Sequence, residues 1–233
     1  MPILENVLSA ARPELTPLQL EQLRAYYELL EETNKVMNLT AISGEADVAA
    51  LHFLDSLALT DEVDLSGKRV IDIGSGAGFP GIPLKIACPD MELTLLDALN
   101  KRVEFMRNVC DKIGVDAVAL HARAEETARK PEYREKFDLA VSRAVANLNM
   151  LCELCIPFIK VGGTMAAMKS TDTDAEIKSA ERCIEKLGCK LEKTVDYTVG
   201  GTDIVHRIVL IRKVRPTPRA YPRRFAKIQK EPL

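Results

Sequence analysis

Tryptophan is absent from this chain, and aromatic residues of all kinds make up only 5% of it. So few rings argue against a protein that grips single-stranded nucleic acid on stacking platforms. Cysteine is scarce as well. Six irregularly spaced cysteines in 233 residues form no disulfide framework, and reduced thiols in the cytoplasm are expected. No segment approaches the roughly 20 consecutive apolar residues of a membrane span. The opening Met1-Pro2-Ile3-Leu4-Glu5-Asn6 has neither the basic patch nor the apolar run of a secretory signal, so none is expected. Internal repeats and low-complexity segments are also missing. What is present, 47% hydrophobic and 28% charged residues, is the mixture of an ordinary globular protein. The length suits one average domain with an appendage.

Charge is unevenly spread. Residues 207–233 carry nine Lys or Arg against the single acid Glu231, a charge of +8, which leaves −10 on the rest of a chain whose net charge is −2. A basic end on an acidic body predicts a polyanionic partner met at one edge. Arg219, Arg223, Arg224 and Lys227 are the candidates for phosphate contact, with Pro216, Pro218 and Pro222 interspersed.

Apolar periodicity organises the remainder. Thr16-Pro17 reads as a helix cap followed by proline at the first helical position, and leucines and tyrosines recur at helical spacing from Leu18 to Leu30. A second amphipathic segment is predicted through Val48, Leu51, Leu54 and Leu57. At Arg69–Gly74 the period changes to a short apolar run ending in glycine, the signature of a buried parallel strand. Strands near Leu93–Asp97, Val118–Leu120, Phe137–Ser142 and Thr164–Lys169 then alternate with helices. One of those helices is expected to run from Asn147 to Ile159 and to stop at Val161-Gly162-Gly163. Two last strands, Glu192–Val199 and His206–Lys213, have no helix between them and should pair antiparallel. The expected architecture is α/β: a Rossmann-like, mostly parallel seven-stranded sheet with a final antiparallel hairpin and an N-terminal helical cap. The boundaries fall at 1–65 for the cap, 66–214 for the sheet domain and 215–233 for the basic tail.

The strongest local signal is Asp72-Ile73-Gly74-Ser75-Gly76-Ala77-Gly78-Phe79-Pro80-Gly81. Glycines directly after a strand permit a tight turn and close backbone approach to a ligand. Asp97, at the end of the second strand, is placed to meet the hydroxyls of a ribose. A dinucleotide fingerprint would want glycine where Phe79 stands, and Asp72 would repel a pyrophosphate while welcoming a cationic sulfonium or amino group. The pattern favours S-adenosylmethionine over NAD.

Asp72–Ile86 resembles the cofactor loop of the RsmG (GidB) family of bacterial 16S rRNA guanine-N7 methyltransferases, and the similarity covers nearly the whole chain. Asn38-Leu39-Thr40 and His52-Phe53-Leu54-Asp55-Ser56-Leu57 match its N-terminal segment. Leu96-Asp97, Lys101-Arg102, Arg123-Ala124-Glu125-Glu126 and Ser142-Arg143-Ala144 match later motifs in order. Ala122, Ser170 and Phe225-Ala226 depart from the pattern. The resemblance implies a class I methyltransferase that uses S-adenosylmethionine, releases S-adenosylhomocysteine and modifies a guanine in the 530 loop of small-subunit rRNA. Its partner would be 16S rRNA or the small ribosomal subunit, and the protein a monomer with no metal and no membrane attachment. Cofactor contacts carry over to Gly74, Phe79, the neighbourhood of Asp97, Ala124, Glu125 and Arg143, and Asp72, Gly76 and Gly78 of the glycine loop join them as candidates. Asn38, His52 and Lys169 join the tail residues as candidates for RNA contact.

Guanine N7 offers a lone pair and no proton to remove, so its methylation needs alignment and a dry site more than a base. Amine methylases usually carry an Asn/Asp-Pro-Pro-aromatic tetrapeptide after the fourth strand; this chain has Ser142-Arg143-Ala144-Val145. No catalytic residue is identified, and Arg123, Arg143 and Lys169 are the candidates. His52 and Asp55, three apart on a helix, are read first as a structural hydrogen bond. Cys152 and Cys155 on one helical face are read as core thiols. Two other readings stand beside this one: a nicotinamide-dependent dehydrogenase, disfavoured by Phe79 and Asp72, and a cofactor-sensing module without turnover.

Overall fold

The computed structural model describes residues 3–143 and 146–233. Its first helices are α1 (Ile3–Ala11) and α2 (Pro17–Met37). Thr16 starts α2 with a reciprocal cap: its hydroxyl accepts from the Gln19 N–H at 3.3 Å, and the Gln19 side-chain oxygen accepts from the Thr16 N–H at 2.8 Å. Asn38, at φ 49°, ends the helix in the left-handed region. A compound run follows: α3 (Glu45–Val48), a π-helical turn over Ala49–Leu54, α4 (Asp55–Leu57) and a 3-10 turn over Ala58–Asp61.

That run corrects the amphipathic helix expected there. Val48, Phe53, Leu54, Leu57 and Leu59 are buried, but so are His52, Asp55 and Ser56. The segment is enclosed on nearly every side, and the wide π-turn breaks the 3.6 period on which amphipathicity is judged.

One sheet organises the rest. Its strands are β1 (Arg69–Ile73), β2 (Glu92–Asp97), β3 (Ala117–His121), β4 (Phe137–Arg143), β5 (Ile159–Ser170), β6 (Cys189–Thr198) and β7 (Val205–Lys213). The order is β3-β2-β1-β4-β5-β7-β6. Strands β1 to β5 pair in parallel, and β7 lies antiparallel between β5 and β6. This is the mostly parallel, doubly wound sheet with a final antiparallel hairpin read from the alternating elements. Side chains alternate between the faces, as the two-residue period requires. Val70, Leu93, Leu95 and Val141 join Leu8, Leu23 and Tyr26 of the cap helices on one side. Ile71, Ile73, Leu96 and Ala140 join α8 (Leu148–Cys155), α9 (Asp174–Lys186) and Ile228 of the C-terminal segment on the other. The crossover helices α5 (Gly81–Ala87), α6 (Asn100–Ile113) and α7 (Ala124–Thr127) complete the layers.

One further expectation changes. Val161-Gly162-Gly163 does not stop a helix. The helix ends at Cys155, a 3-10 turn spans Ile156–Phe158, and β5 already runs through both glycines. Gly162 has φ +85°, and a Cβ on Gly163 would stand 2.6 Å from the Asp138 carbonyl oxygen. These glycines permit a bulge where β5 meets β4, and the register shifts there between Phe137 and Leu139. The C-terminal segment packs on the domain. It ends in α10 (Phe225–Lys230) and docks on α8, with Thr217, Pro222 and Ile228 buried. Among the described residues, no helix is long and apolar enough to cross a membrane.

Candidate functional site

The sheet order reverses between β1 and β4, and the carboxyl ends of the strands beside such a switch point form a natural crevice. The loop after β1 is folded onto β2. The Gly74 N–H donates to the Leu96 carbonyl at 2.8 Å, and the Ser75 hydroxyl donates to the Asp72 carbonyl at 3.0 Å. Asp97 then holds the loop: one carboxylate oxygen accepts from the Gly76 N–H at 3.0 Å, the other from the Leu99 N–H at 2.9 Å. Arg102 also donates to the first of these oxygens at 3.5 Å, and the second keeps a lone pair. Gly74 and Gly76 sit at φ 71° and 61°, and a Cβ on Gly76 would point into open space. Beside them lies a cleft of about 150 Å³ whose walls include Ile73, Leu96, Ala98, Ala122, Leu154 and Phe225, with Asp97 at one side. An apolar slot with a carboxylate at its edge suits the flat base and hydroxyls of a nucleoside.

The other loop residues expected to touch a cofactor face away from that cleft. A Cβ on Gly78 (φ +101°) would collide with Ile82 and with the Tyr26 hydroxyl, which itself donates to the Ala77 carbonyl. Gly78 therefore serves the packing of α2 against the loop. Phe79 is buried in an aromatic group, stacked on His52 with centroids 4.3 Å apart and on Tyr26 at 5.2 Å. Asp72 is wholly buried and caps α5 by accepting from the Gly81 N–H at 2.9 Å. Its other oxygen, Oδ1, has no partner, and burial pushes the carboxyl up to about 8. Past β3, Ala124 and Glu125 line the cleft, with Arg123 exposed and 3.9 Å from Glu125.

A second pocket, about 390 Å³, opens at the ends of β4 and β5 between Ile42, Leu51, Arg143, Met168, Lys169 and Ser170. Its floor is a polar network that the sequence did not reveal. Asp55, 2% exposed, accepts from Arg143 at 2.8 Å, from the Tyr197 hydroxyl at 2.7 Å and from His206 Nδ1 at 2.7 Å. Burial works to raise its pKa, but the bonds from His206 and Tyr197 and the Arg143 charge hold the carboxyl below its ordinary value. The bond to Asp55 raises His206 above its own. Arg143 also donates to the Leu51 carbonyl at 3.0 Å and to His52 Nδ1 at 2.9 Å. An arginine can only donate, so Nδ1 accepts, and the Nε2–H of His52 donates to the Thr40 hydroxyl at 2.8 Å. Burial and the neighbouring guanidinium hold that imidazole neutral, at about 3. His52 and Asp55 are thus joined through Arg143, across some 90 residues, and not to each other. Ala144 and Val145, which complete the motif after β4, lie outside the described residues.

The residues expected to meet RNA separate into two groups. Lys169 donates to Glu176 at 2.7 Å and to the Ala146 carbonyl at 2.9 Å. Arg223 is an anchor, since Glu153, with no exposed side-chain surface, accepts from its backbone N–H at 2.7 Å and from its guanidinium at 2.6 Å. By contrast Asn38, Arg219, Arg224 and Lys227 are exposed. Arg224 lines a groove of about 790 Å³ with Arg123 and Arg129, and that groove adjoins the 150 Å³ cleft through Arg123, Glu125 and Phe225. Cys152 and Cys155 are fully buried, and burial raises both thiols above their ordinary pKa. Among the described residues, no three His, Cys, Asp or Glu side chains cluster in a way that could hold a metal ion.

Residues 19–204 match the family described as GidB, rRNA small subunit methyltransferase G. The chain is 47% identical over 222 residues to the ribosomal RNA small subunit methyltransferase G of Lachnoclostridium phytofermentans, covering 94% of this chain and 92% of that one. With the protein of the same name from Alkaliphilus oremlandii it shares 46% over 235 residues, covering 99% and 98%. A SAM dependent methyltransferase from Aquifex aeolicus superposes with a TM-score of 0.51 at 18% identity, covering 69% of this chain and 91% of that one, a likeness of fold.

Proposed function

This chain belongs to the rRNA small subunit methyltransferase G family, and from that premise we propose that it transfers a methyl group from S-adenosylmethionine to N7 of a guanine in the 530 loop of 16S rRNA. The residues present fit the cofactor. The 150 Å³ cleft is apolar where adenine would pack, Asp97 keeps a lone pair for a ribose hydroxyl, and Gly76 leaves its side of the loop open. When bound, S-adenosylmethionine supplies an electrophilic methyl group on a sulfonium.

The observation that carries N7 is the state of the acids and imidazoles around the second pocket. Among the described residues there, Asp55 already accepts from three donors, His52 spends its free lone pair on Arg143, and His206 is held on Asp55 through Nδ1. Neither Asp55 nor His52 is poised to remove a proton. A nucleophile that keeps no proton needs none of them, and guanine N7 is such an atom. What the chain contributes is alignment and exclusion of water: Ile42, Leu51 and Met168 supply apolar walls, and Arg143 supplies fixed positive charge beside the loop. A direct Arg143 bond to N7 would block the attacking lone pair, and its partners Asp55, His52 and Leu51 turn it toward the cap instead. The exposed Arg219, Arg224 and Lys227 position the RNA through phosphates without reading the base.

The test is methyl transfer from labelled S-adenosylmethionine to small ribosomal subunits lacking their guanine-N7 mark, mapped by chemical cleavage at 7-methylguanosine. The expected result is label at one guanine of the 530 loop. Label on an exocyclic amine or a ribose, or no label on particles and free rRNA alike, would refute the assignment.

A further inference from the structure

Phe225 lies in the C-terminal segment, some 100 residues from the end of β3, yet its ring forms part of the wall of the nucleoside cleft. The segment is fixed on both sides of it. Before Phe225, Arg134 donates to the Thr217 and Tyr221 carbonyls at 2.8 and 2.9 Å, and Arg223 is clasped by the buried Glu153. After it, Ile228 is fully buried, and Asn149 donates to the terminal Leu233 carbonyl at 2.8 Å. The Arg123 guanidinium stands over the Phe225 ring at 5.6 Å from its centroid. The half-buried ring is therefore held in place, and it stands with Asp97 and Ala124 rather than with the β4–β5 pocket.

We propose that Phe225 is a cofactor-binding residue: its ring packs against the adenine of S-adenosylmethionine, so that the C-terminal segment completes the cofactor site. The proposal rests on the reading that the cofactor's adenosine occupies this cleft. It follows from the chemistry of the walls. Ile73, Leu96, Ala98 and Leu154 offer aliphatic surface only, and Phe225 is the one aromatic face among the described lining residues on which a purine can stack. Such stacking adds binding beyond the area it buries.

The chain contains no tryptophan, so Phe225→Trp introduces a single emitter at the proposed contact. Titration with S-adenosylhomocysteine is expected to change its emission saturably, with a midpoint matching calorimetry on the same variant. Val36→Trp, at a position on α2 that is 81% exposed, should stay silent. Phe225→Ala is expected to bind S-adenosylhomocysteine about tenfold more weakly, as loss of one aromatic stack predicts, and Phe225→Tyr to bind as the natural chain does. In turnover, Phe225→Ala should raise the KM for S-adenosylmethionine and keep kcat at saturation. If the natural chain binds while the tryptophan emission stays unchanged and Phe225→Ala binds equally well, the proposal falls and the cofactor reading stands. If the natural chain does not bind S-adenosylhomocysteine, the cofactor reading falls and takes this one with it. Should Phe225→Ala fail to fold, the tryptophan and tyrosine variants decide the matter.

Discussion

Replacing Asp55 by Asn tests whether the buried network joins the cap to the sheet. The carboxylate holds Arg143 on one oxygen and Tyr197 with His206 on the other. Asparagine keeps one acceptor and gains a donor. Turned one way, its NH2 meets the Arg143 N–H groups; turned the other, it meets Tyr197 and His206, which can rearrange to accept. The second orientation should win, leaving Arg143, whose side chain is 14% exposed, without its counter-ion. Removing one partner of a buried pair costs roughly 3–5 kcal/mol, and the surviving bond to the Leu51 carbonyl places this case near the lower end, about 3 kcal/mol. For a chain of this length that lowers Tm by roughly 6–12 °C, measurable by calorimetry at pH 6. The pH dependence supplies a second check. Asp55 has a depressed pKa, so its contribution is present above its ordinary value of 3.8 and is lost as pH falls through the folded value. His206 has a raised pKa, so its contribution is present below 6.5 and is lost as pH rises through the folded value. The gap between the natural chain and Asp55→Asn should be widest between those limits and shrink on either side. A loss under about 1 kcal/mol, or a gap constant from pH 3 to pH 9, would refute the reasoning.

Three further outcomes are expected. Glu153→Gln, which sets an amide donor against Arg223, should free the C-terminal segment: limited proteolysis would cut near Arg223 or Arg224 faster than in the natural chain, and equal rates would contradict the anchor. Neutralising Arg219, Arg224 and Lys227 together to Gln should weaken RNA binding and reduce the slope of log affinity against log salt by about 2, at roughly 0.7 per phosphate contact on a single strand; an unchanged slope would remove these residues from the RNA surface. Asp72 binds a proton in the folded chain up to about pH 8, whereas the unfolded chain releases it near 3.8. Stability from this group therefore falls as pH rises across that window. The thermal midpoint of Asp72→Asn should rise relative to the natural chain between pH 5 and pH 8, and parallel curves would show that the carboxyl is not protonated there.

What could be read from the sequence was local. Arg69–Gly74, the glycine loop and Asp97 form one strand-turn-helix unit, and each residue's role there depends on neighbours within about one supersecondary motif. Seven strands and their order of appearance followed from short strand-like runs alternating with helical patterns. The insertion of β7 between β5 and β6 could not be read, because pairing order is a property of the whole sheet. Gly162 and Gly163 misled for a physical reason: a glycine pair stops a helix or permits a bulge with equal ease, and only the neighbouring β4 strand decides which.

The site residues beyond the loop were hidden by distance along the chain. Asp55 meets Tyr197 and His206 across 142 and 151 positions, and no periodicity spans such a gap. Within the cap, a helical spacing of three suggested that His52 and Asp55 were partners; the π-turn at Ala49–Leu54 altered that geometry, and Arg143 took both. The same logic separates the tail's charges. Arg223 and Arg224 are adjacent and chemically identical, and only Glu153, 70 residues earlier, makes the first an anchor and leaves the second exposed. A lone acid, Glu153, on an otherwise uncharged helix such as α8 is the signal that could have been used, because a charge placed on a core-facing helix demands a partner. It explains why a segment rich in arginine and proline folds against α8 instead of extending into solvent, and why Phe225 reaches the cleft beside Asp97.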